Sequence, residues 1–237
     1  MLLAFLCWPT LSAAQADAAA PRVVYRVETV AGSGAAVLAP FTGAQRGVLE
    51  KLNRADLRHL SRLRQLVVPV QWLDDELAYS PFPRWHPGMG SFAKVLVVDQ
   101  ASQAFGGHER GRLTRWGPVS TGQRASPTPM GWFRLNWRSR GRHSTVDPAW
   151  FMEWYFNFDN AGGLALHSHP LPGYPASHGC IRLLERDAVW LYGWGRAGTP
   201  FLITGRYTFG EPPPWRSPDY LARGLYPYAA GWRTARP

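Results

Sequence analysis

The chain has 237 residues, enough for one domain and a small companion. Its 46% hydrophobic content supports a packed core, while 24 Gly, 21 Pro and 12 Trp argue against a helical bundle and for a turn-rich, mainly β protein. The formal charge of +10 suits an anionic surface or carboxylate-rich substrates; no nucleic-acid motif accompanies it, so nucleic acid is not an expected partner.

Residues 1–20 are a short apolar run followed by small residues, with A-x-A sites at 14–16 and 18–20, the pattern of a secretory signal peptide. Pro9 interrupts the run, which is too short for a transmembrane helix. Once this segment is removed, Cys180 is the one cysteine left, so no internal disulfide is expected and the thiol, in a polar stretch, reads as reactive. Residues 22–70 form a small α/β module. It has a strand at 23–27, a helix over 45–66 carried by Leu49, Leu52, Leu57, Leu60, Leu63 and Leu66, and a strand at 66–70. Residues 71–91, rich in Pro and aromatics, read as a linker that packs, with His59 and His86 as surface or linker residues.

Residues 92–205 form the main domain. Strands are expected at 95–99, from 102–105 onward, at 113–120 and at 130–137, with turns at 121–122 and 127–129. Residues 138–144 read as a basic loop, either solvated or forming a rim that meets acidic substrate groups. The aromatic run 150–158 supplies core and cleft, and 160–163 turn into a strand that delivers His167. A helix follows at 185–192 and a last strand at 199–204; residues 206–237 form a C-terminal extension without clear periodicity.

The chemistry concentrates at Leu166-His167-Ser168-His169-Pro170 and Ser177-His178-Gly179-Cys180-Ile181-Arg182-Leu183, joined by a Pro- and Gly-rich turn. The turn folds Cys180 back toward His167. A thiol with an ordinary pKa near ~8.5 is mostly protonated at neutral pH and becomes a nucleophile when an imidazole takes its proton. Ser168, or a backbone carbonyl, is placed to orient that imidazole. Gly179 lets the amides around 179 and 180 approach a substrate oxygen, as an oxyanion hole requires. Arg182 offers a planar fork for a carboxylate.

The run Ser-His-Gly-Cys-Ile-Arg-Leu at 177–183 after an apolar strand ending in His resembles the signature of the YkuD-type L,D-transpeptidases. Residues 94–99, 118–122 and 127–133 resemble that family's first strand, its TG strand end and its TPxGxF turn, in the same order. The resemblance spans 92–205. It implies a mainly β fold, a β-sandwich or mixed sheets with one or two helices, beside the α/β module. That module is either a structural extension or similar to a degenerate LysM glycan-binding repeat.

The resemblance also implies that Cys180 attacks the diamino-acid carbonyl of a peptidoglycan tetrapeptide stem and releases D-Ala, with His167 as base oriented by Ser168. His178 and Gly179 would shape the oxyanion pocket and Arg182 would hold the cleft or a stem carboxylate. His169, where the family has a small residue, leaves open which of His167 and His169 is the base. No cofactor and no metal are implied. Partners would be stem peptides, with an envelope lipoprotein or a cell-wall synthesis complex beside them, in the periplasm or cell envelope. The alternatives are a carboxypeptidase or amidase of the same fold, a zinc site made of His167, His169, His178 and Cys180, and a non-catalytic wall-binding protein.

Overall fold

A computed structural model describes residues 23–223 apart from 31 and 33, so the expected signal peptide at 1–20 and the end of the C-terminal extension lie outside the described residues. At the N-terminal side, β1 (Tyr25–Thr29) pairs antiparallel with β2 (Gln65–Pro69). Three helices lie between them: α1 (Ala35–Leu38), α2 (Gly43–Asn53) and α3 (Leu57–Leu60). A reciprocal capping box between Thr42 and Gln45 starts α2. The single helix expected over 45–66 is broken, although leucine spacing is helical on both sides of the break. Arg54, in the left-handed region at φ 57, ends α2, and the Asp56 carboxylate caps α3 by accepting from the His59 amide at 3.0 Å.

The left-handed turn carries Arg54 into the interior, where it is fully buried. Its Nε donates to the Ser102 carbonyl at 2.7 Å, and its guanidinium lies 5.5 Å from the Trp116 ring and 5.1 Å from the Trp215 ring. Residues 71–91 pack closely, with Tyr79, Phe82 and Met89 buried. His86 is not a surface residue: it is 6% exposed, because its amide donates to the Gly111 carbonyl at 2.8 Å and ties the segment to the following hairpin. His59 is half-buried against Asp56.

The main body is one nine-stranded sheet. Its strands are β3 (Val95–Asp99), β4 (Ala104–Glu109), β5 (Arg112–Ser120), β6 (Gly131–Arg134), β7 (Arg138–His143), β8 (Phe151–Asp159), β9 (Leu164–Ser168), β10 (Ile181–Leu183) and β11 (Pro200–Thr204). They run in the order β6-β11-β3-β4-β5-β10-β9-β8-β7, with parallel pairing only at β11/β3 and β10/β9. The sheet curls so that Leu96, Val98, Phe105, Phe156, Leu166, Ile181 and Phe201 enclose one core, capped by α4 (Glu185–Trp194). Alternation sends Val95 and Val97 to the other face, where they meet Val23, Tyr25, Leu52 and Val67 of the N-terminal segment. The short helix α5 (Pro218–Arg223) covers this second core: Trp215 and Tyr220 are buried, and Tyr220 stacks on Tyr25 at 5.0 Å.

The basic loop expected at 138–144 is instead edge strand β7, paired with β8. Its arginines are held by aromatic faces, which composition hides: Arg138 lies over Tyr192, Arg140 over Trp154 at 4.1 Å and Arg142 over Tyr155 at 5.1 Å. Charged side chains on an outer strand also disfavour pairing with another sheet edge. Among the described residues, no helix is long and apolar enough to cross a membrane.

Candidate active site

Strands β9 and β10 are parallel neighbours with Leu166 opposite Ile181 and His167 opposite Arg182. Leu166, Ile181 and Leu183 point into the core. By strand alternation the residues between them, Ala165, His167 and Arg182, turn to the opposite face, and Cys180 joins them from the entry to β10. That face is the floor of a cavity of about 430 Å³, lined also by His169, Ser177, His178, Tyr155 and Trp150.

His167 is 4% exposed. Its Nδ1 lies 3.0 Å from the Ser168 carbonyl. A carbonyl only accepts, so Nδ1 carries the proton and Nε2 keeps its lone pair. Burial pushes this imidazole down to about 4 against the pull of the Ser168 carbonyl, and the neighbouring His169 and Arg182 push the same way. His169 packs edge-on to His167 at 5.7 Å and is half-buried. Of the two rings, only that of His167 has a hydrogen bond among the described residues.

Cys180 is half-buried, and burial pushes its thiol up, with the Ala165 backbone and the Arg182 charge pulling it back. The thiol and imidazole shifts run in opposite directions, and both favour the neutral forms over a thiolate–imidazolium. The loop before Cys180 is wired internally. Gly179 adopts φ 111, where a β-carbon would be strained, and its amide donates to Ser177 Oγ at 3.1 Å. Ser177 Oγ in turn donates to the Cys180 carbonyl at 2.5 Å. Thr128 Oγ1 donates to the Gly179 carbonyl at 2.9 Å and accepts from the Gly122 amide at 2.8 Å. The TG and TP turns of the sequence are thereby hydrogen-bonded to the cysteine loop. His178 stands exposed at the rim and stacks on Trp150 at 5.0 Å.

Sequence reasoning named no role for Ser177, Thr128 or Asn157, and it placed Tyr155 in an aromatic run supplying core and cleft without saying which of its rings line the cleft. Tyr155 is buried in the cavity wall, its hydroxyl donating to the Gly163 carbonyl at 3.3 Å, with Asn157 Nδ2 at 3.4 Å. Met152 and Tyr155 both face the cavity although they are three residues apart. A bulge makes this phase change: Trp154 sits at φ 54 and the β8/β9 register shifts between Glu153 and Phe156. No Asp or Glu lines the cavity. Among the described residues, no three His, Cys, Asp or Glu side chains form a group able to hold a metal ion, so the four residues considered for zinc do not make a donor set.

A buried imidazole with one nitrogen anchored thus shares a cavity with a cysteine at the mouth of a mixed, curled sheet. Residues 93–203 match the model of the YkuD family, described as the L,D-transpeptidase catalytic domain. The fold is similar to that of the L,D-transpeptidase from Xylanimonas cellulosilytica DSM 15894, with a TM-score of 0.50 and 29% identity over 67% of this chain and 78% of that one. It is also similar to an L,D-transpeptidase from Stackebrandtia nassauensis (TM-score 0.45, 24% identity, 48% and 56% of the two chains). A third similar structure is L,D-transpeptidase 3 from Mycobacterium tuberculosis in complex with a faropenem-derived adduct (TM-score 0.41, 24% identity, 47% and 60%). The chain thus spans less than two thirds of the length of the latter two. None of the curated proteins matches it.

Proposed function

We propose that the protein is a peptidoglycan L,D-transpeptidase working through Cys180. The observation that carries this reading is the ring of His167, fixed by the Ser168 carbonyl and presenting its free nitrogen to the cavity that Cys180 lines. Sγ of Cys180 attacks the carbonyl of the third-position diamino acid of a tetrapeptide stem. His167 Nε2 takes the thiol proton as the S–C bond forms. Collapse of the tetrahedral intermediate breaks the amide bond to D-Ala, and the imidazolium returns the proton to the leaving amine. An amine of a second stem, or a lysine of an envelope protein, then resolves the thioester; water in that place yields a tripeptide and makes the enzyme a carboxypeptidase.

The Gly179 amide is engaged by Ser177 Oγ, so the oxyanion is met by the amide of Cys180, with His178 shaping the approach. Arg182, beside His167 on the cavity floor, receives a stem carboxylate. The substrate places the protein in the periplasm or cell envelope, reached through the leader-like segment at 1–20.

Incubation with purified disaccharide tetrapeptide, followed by mass spectrometry, tests the reading. A cross-linked dimer with loss of D-Ala is expected, and Cys180→Ala forms none. Unchanged tetrapeptide after incubation with folded wild-type protein sinks the proposal. A carbapenem is expected to add its mass at Cys180.

A further inference from the structure

The twelve residues 169–180 join β9 to β10 and carry the cysteine loop; the His169 amide donates to the Leu183 carbonyl of β10 at 3.1 Å, and the further fastenings come from two sides. The second half is tied to the end of β5. Ser120 Oγ donates to the Tyr174 carbonyl at 2.7 Å, the Ala176 and Ser177 amides donate to the Thr121 carbonyl at 3.0 Å, and the Gln123 amide donates to the Ser177 carbonyl at 2.9 Å. The first half is tied to the N-terminal module. The Leu171 amide donates to Asp56 Oδ2 at 2.7 Å, the Asp56 amide donates to the Leu171 carbonyl at 3.0 Å, and Ala55 bridges Pro172 in antiparallel fashion. Leu171 itself is fully buried.

The same carboxylate caps α3 through Oδ1 and approaches His59 Nδ1 at 2.9 to 3.0 Å. Asp56 is therefore anchored on its own element before it reaches across. Pro170 and Pro172 contribute no amide donors, so within 170–172 the Leu171 amide is the one backbone donor.

We propose that Asp56 is a positioning residue, through which the N-terminal module braces the 169–180 crossing and holds Cys180 and its loop in register with His167. On this proposal the module is part of the machinery that shapes the site. The consequence for acyl transfer rests on the transpeptidase reading, whereas the brace itself does not.

Asp56→Ser tests it, because serine keeps the helix cap but is too short to reach Leu171. Three measurements on the full chain are compared with wild type: amide hydrogen exchange of 169–180, the rate of Cys180 alkylation by iodoacetamide, and kcat and KM on the tetrapeptide. The expected result is exchange at least tenfold faster in 169–176, an altered alkylation rate, and kcat lowered about tenfold with KM little changed and the melting temperature within a few degrees. His59→Ala, which removes the carboxylate's other partner, keeps wild-type exchange and alkylation. Unchanged exchange in Asp56→Ser, faster exchange with unchanged alkylation, or equal effects from both variants each overturn the brace. A wild-type protein inert toward tetrapeptide sinks the transpeptidase reading alone, since exchange and alkylation still read the brace.

Discussion

At the scale of single residues, the protonation of the Cys180–His167 pair decides how the site works. Burial raises the thiol and lowers the imidazole to about 4, an order opposite to the one that makes a resting ion pair. On the proposed mechanism the thiol is ionised during attack, with His167 competent as base at every pH above about 4. Two pH profiles follow. Alkylation of Cys180 by iodoacetamide, which needs thiolate, rises through and beyond ~8.5, the ordinary thiol value, without a plateau at pH 5 to 7. Acylation by substrate, which borrows the imidazole, falls off only as pH approaches 4. A flat alkylation rate across pH 5 to 7 would show a preformed ion pair. His167→Gln is expected to slow acylation by about 10² to 10⁴ fold while leaving the chain folded. That these residues come together could be read from the sequence because the motif is local: seven consecutive residues plus one strand end name Cys180, His178, Arg182 and His167, and all four line one cavity. The oriented tautomer was foreseen only as one of two options, since Ser168 offers both a hydroxyl and a carbonyl, and the carbonyl is the one used.

At the scale of elements, the site depends on joints that no periodicity reports. Strand positions in the sheet could be read from alternating apolar runs at 95–99 and 113–120, and the structure has β3 and β5 there. The strand β7 could not, because its six residues, Arg-Ser-Arg-Gly-Arg-His, show no apolar face; their partners are aromatic rings contributed by β8 and α4. Tyr155 was hidden for a related reason, since the bulge at Trp154 resets which side chains of β8 face the cavity. Thr128 is a third such joint. Its buried hydroxyl is the single link between the Gly122 amide and the Gly179 carbonyl. Thr128→Val keeps the shape of the side chain and removes that link, leaving two buried backbone groups unpaired at a cost of about 1–3 kcal/mol each. Gly179 then loses the partner that fixes its carbonyl beside Cys180. The expected outcome is a lower unfolding midpoint and acylation slowed by more than the loss of folded protein explains, measured as kcat per folded molecule at a temperature well below the transition.

At the scale of the whole molecule, composition sets the expected boundary at 71–91, but the packing across it could not be read from the sequence. One apolar cluster runs from Val23 and Leu52 through Val95 and Trp116 to Trp215 and Tyr220, and Arg54 is enclosed within it by two tryptophans. Such contacts join residues far apart in sequence, which local patterning does not register. The same burial gives the molecule an acid sensitivity with a definite sign. His108 is fully buried, and desolvation with His86 beside it pushes its imidazole down to about 4 despite the Gly106 backbone; His167 is held near the same value. In the unfolded chain both return to about 6.5. Between about pH 6.5 and 4 the unfolded state therefore binds protons that the folded state refuses, and stability falls as pH falls through that window. The shift corresponds to at most about 3 kcal/mol per histidine. Glu50, Asp99 and Asp187, whose carboxyls burial pushes up, act with the opposite sign at the acid end and blunt the effect. A variant separates the contributions. In His108→Leu the drop in melting temperature from pH 7 to pH 4.5 should shrink by several degrees relative to wild type, with acylation at pH 7 unchanged because His108 lies outside the cavity. Equal drops in the two proteins would mean that position 108 takes up a proton without unfolding, and that the core there admits charge.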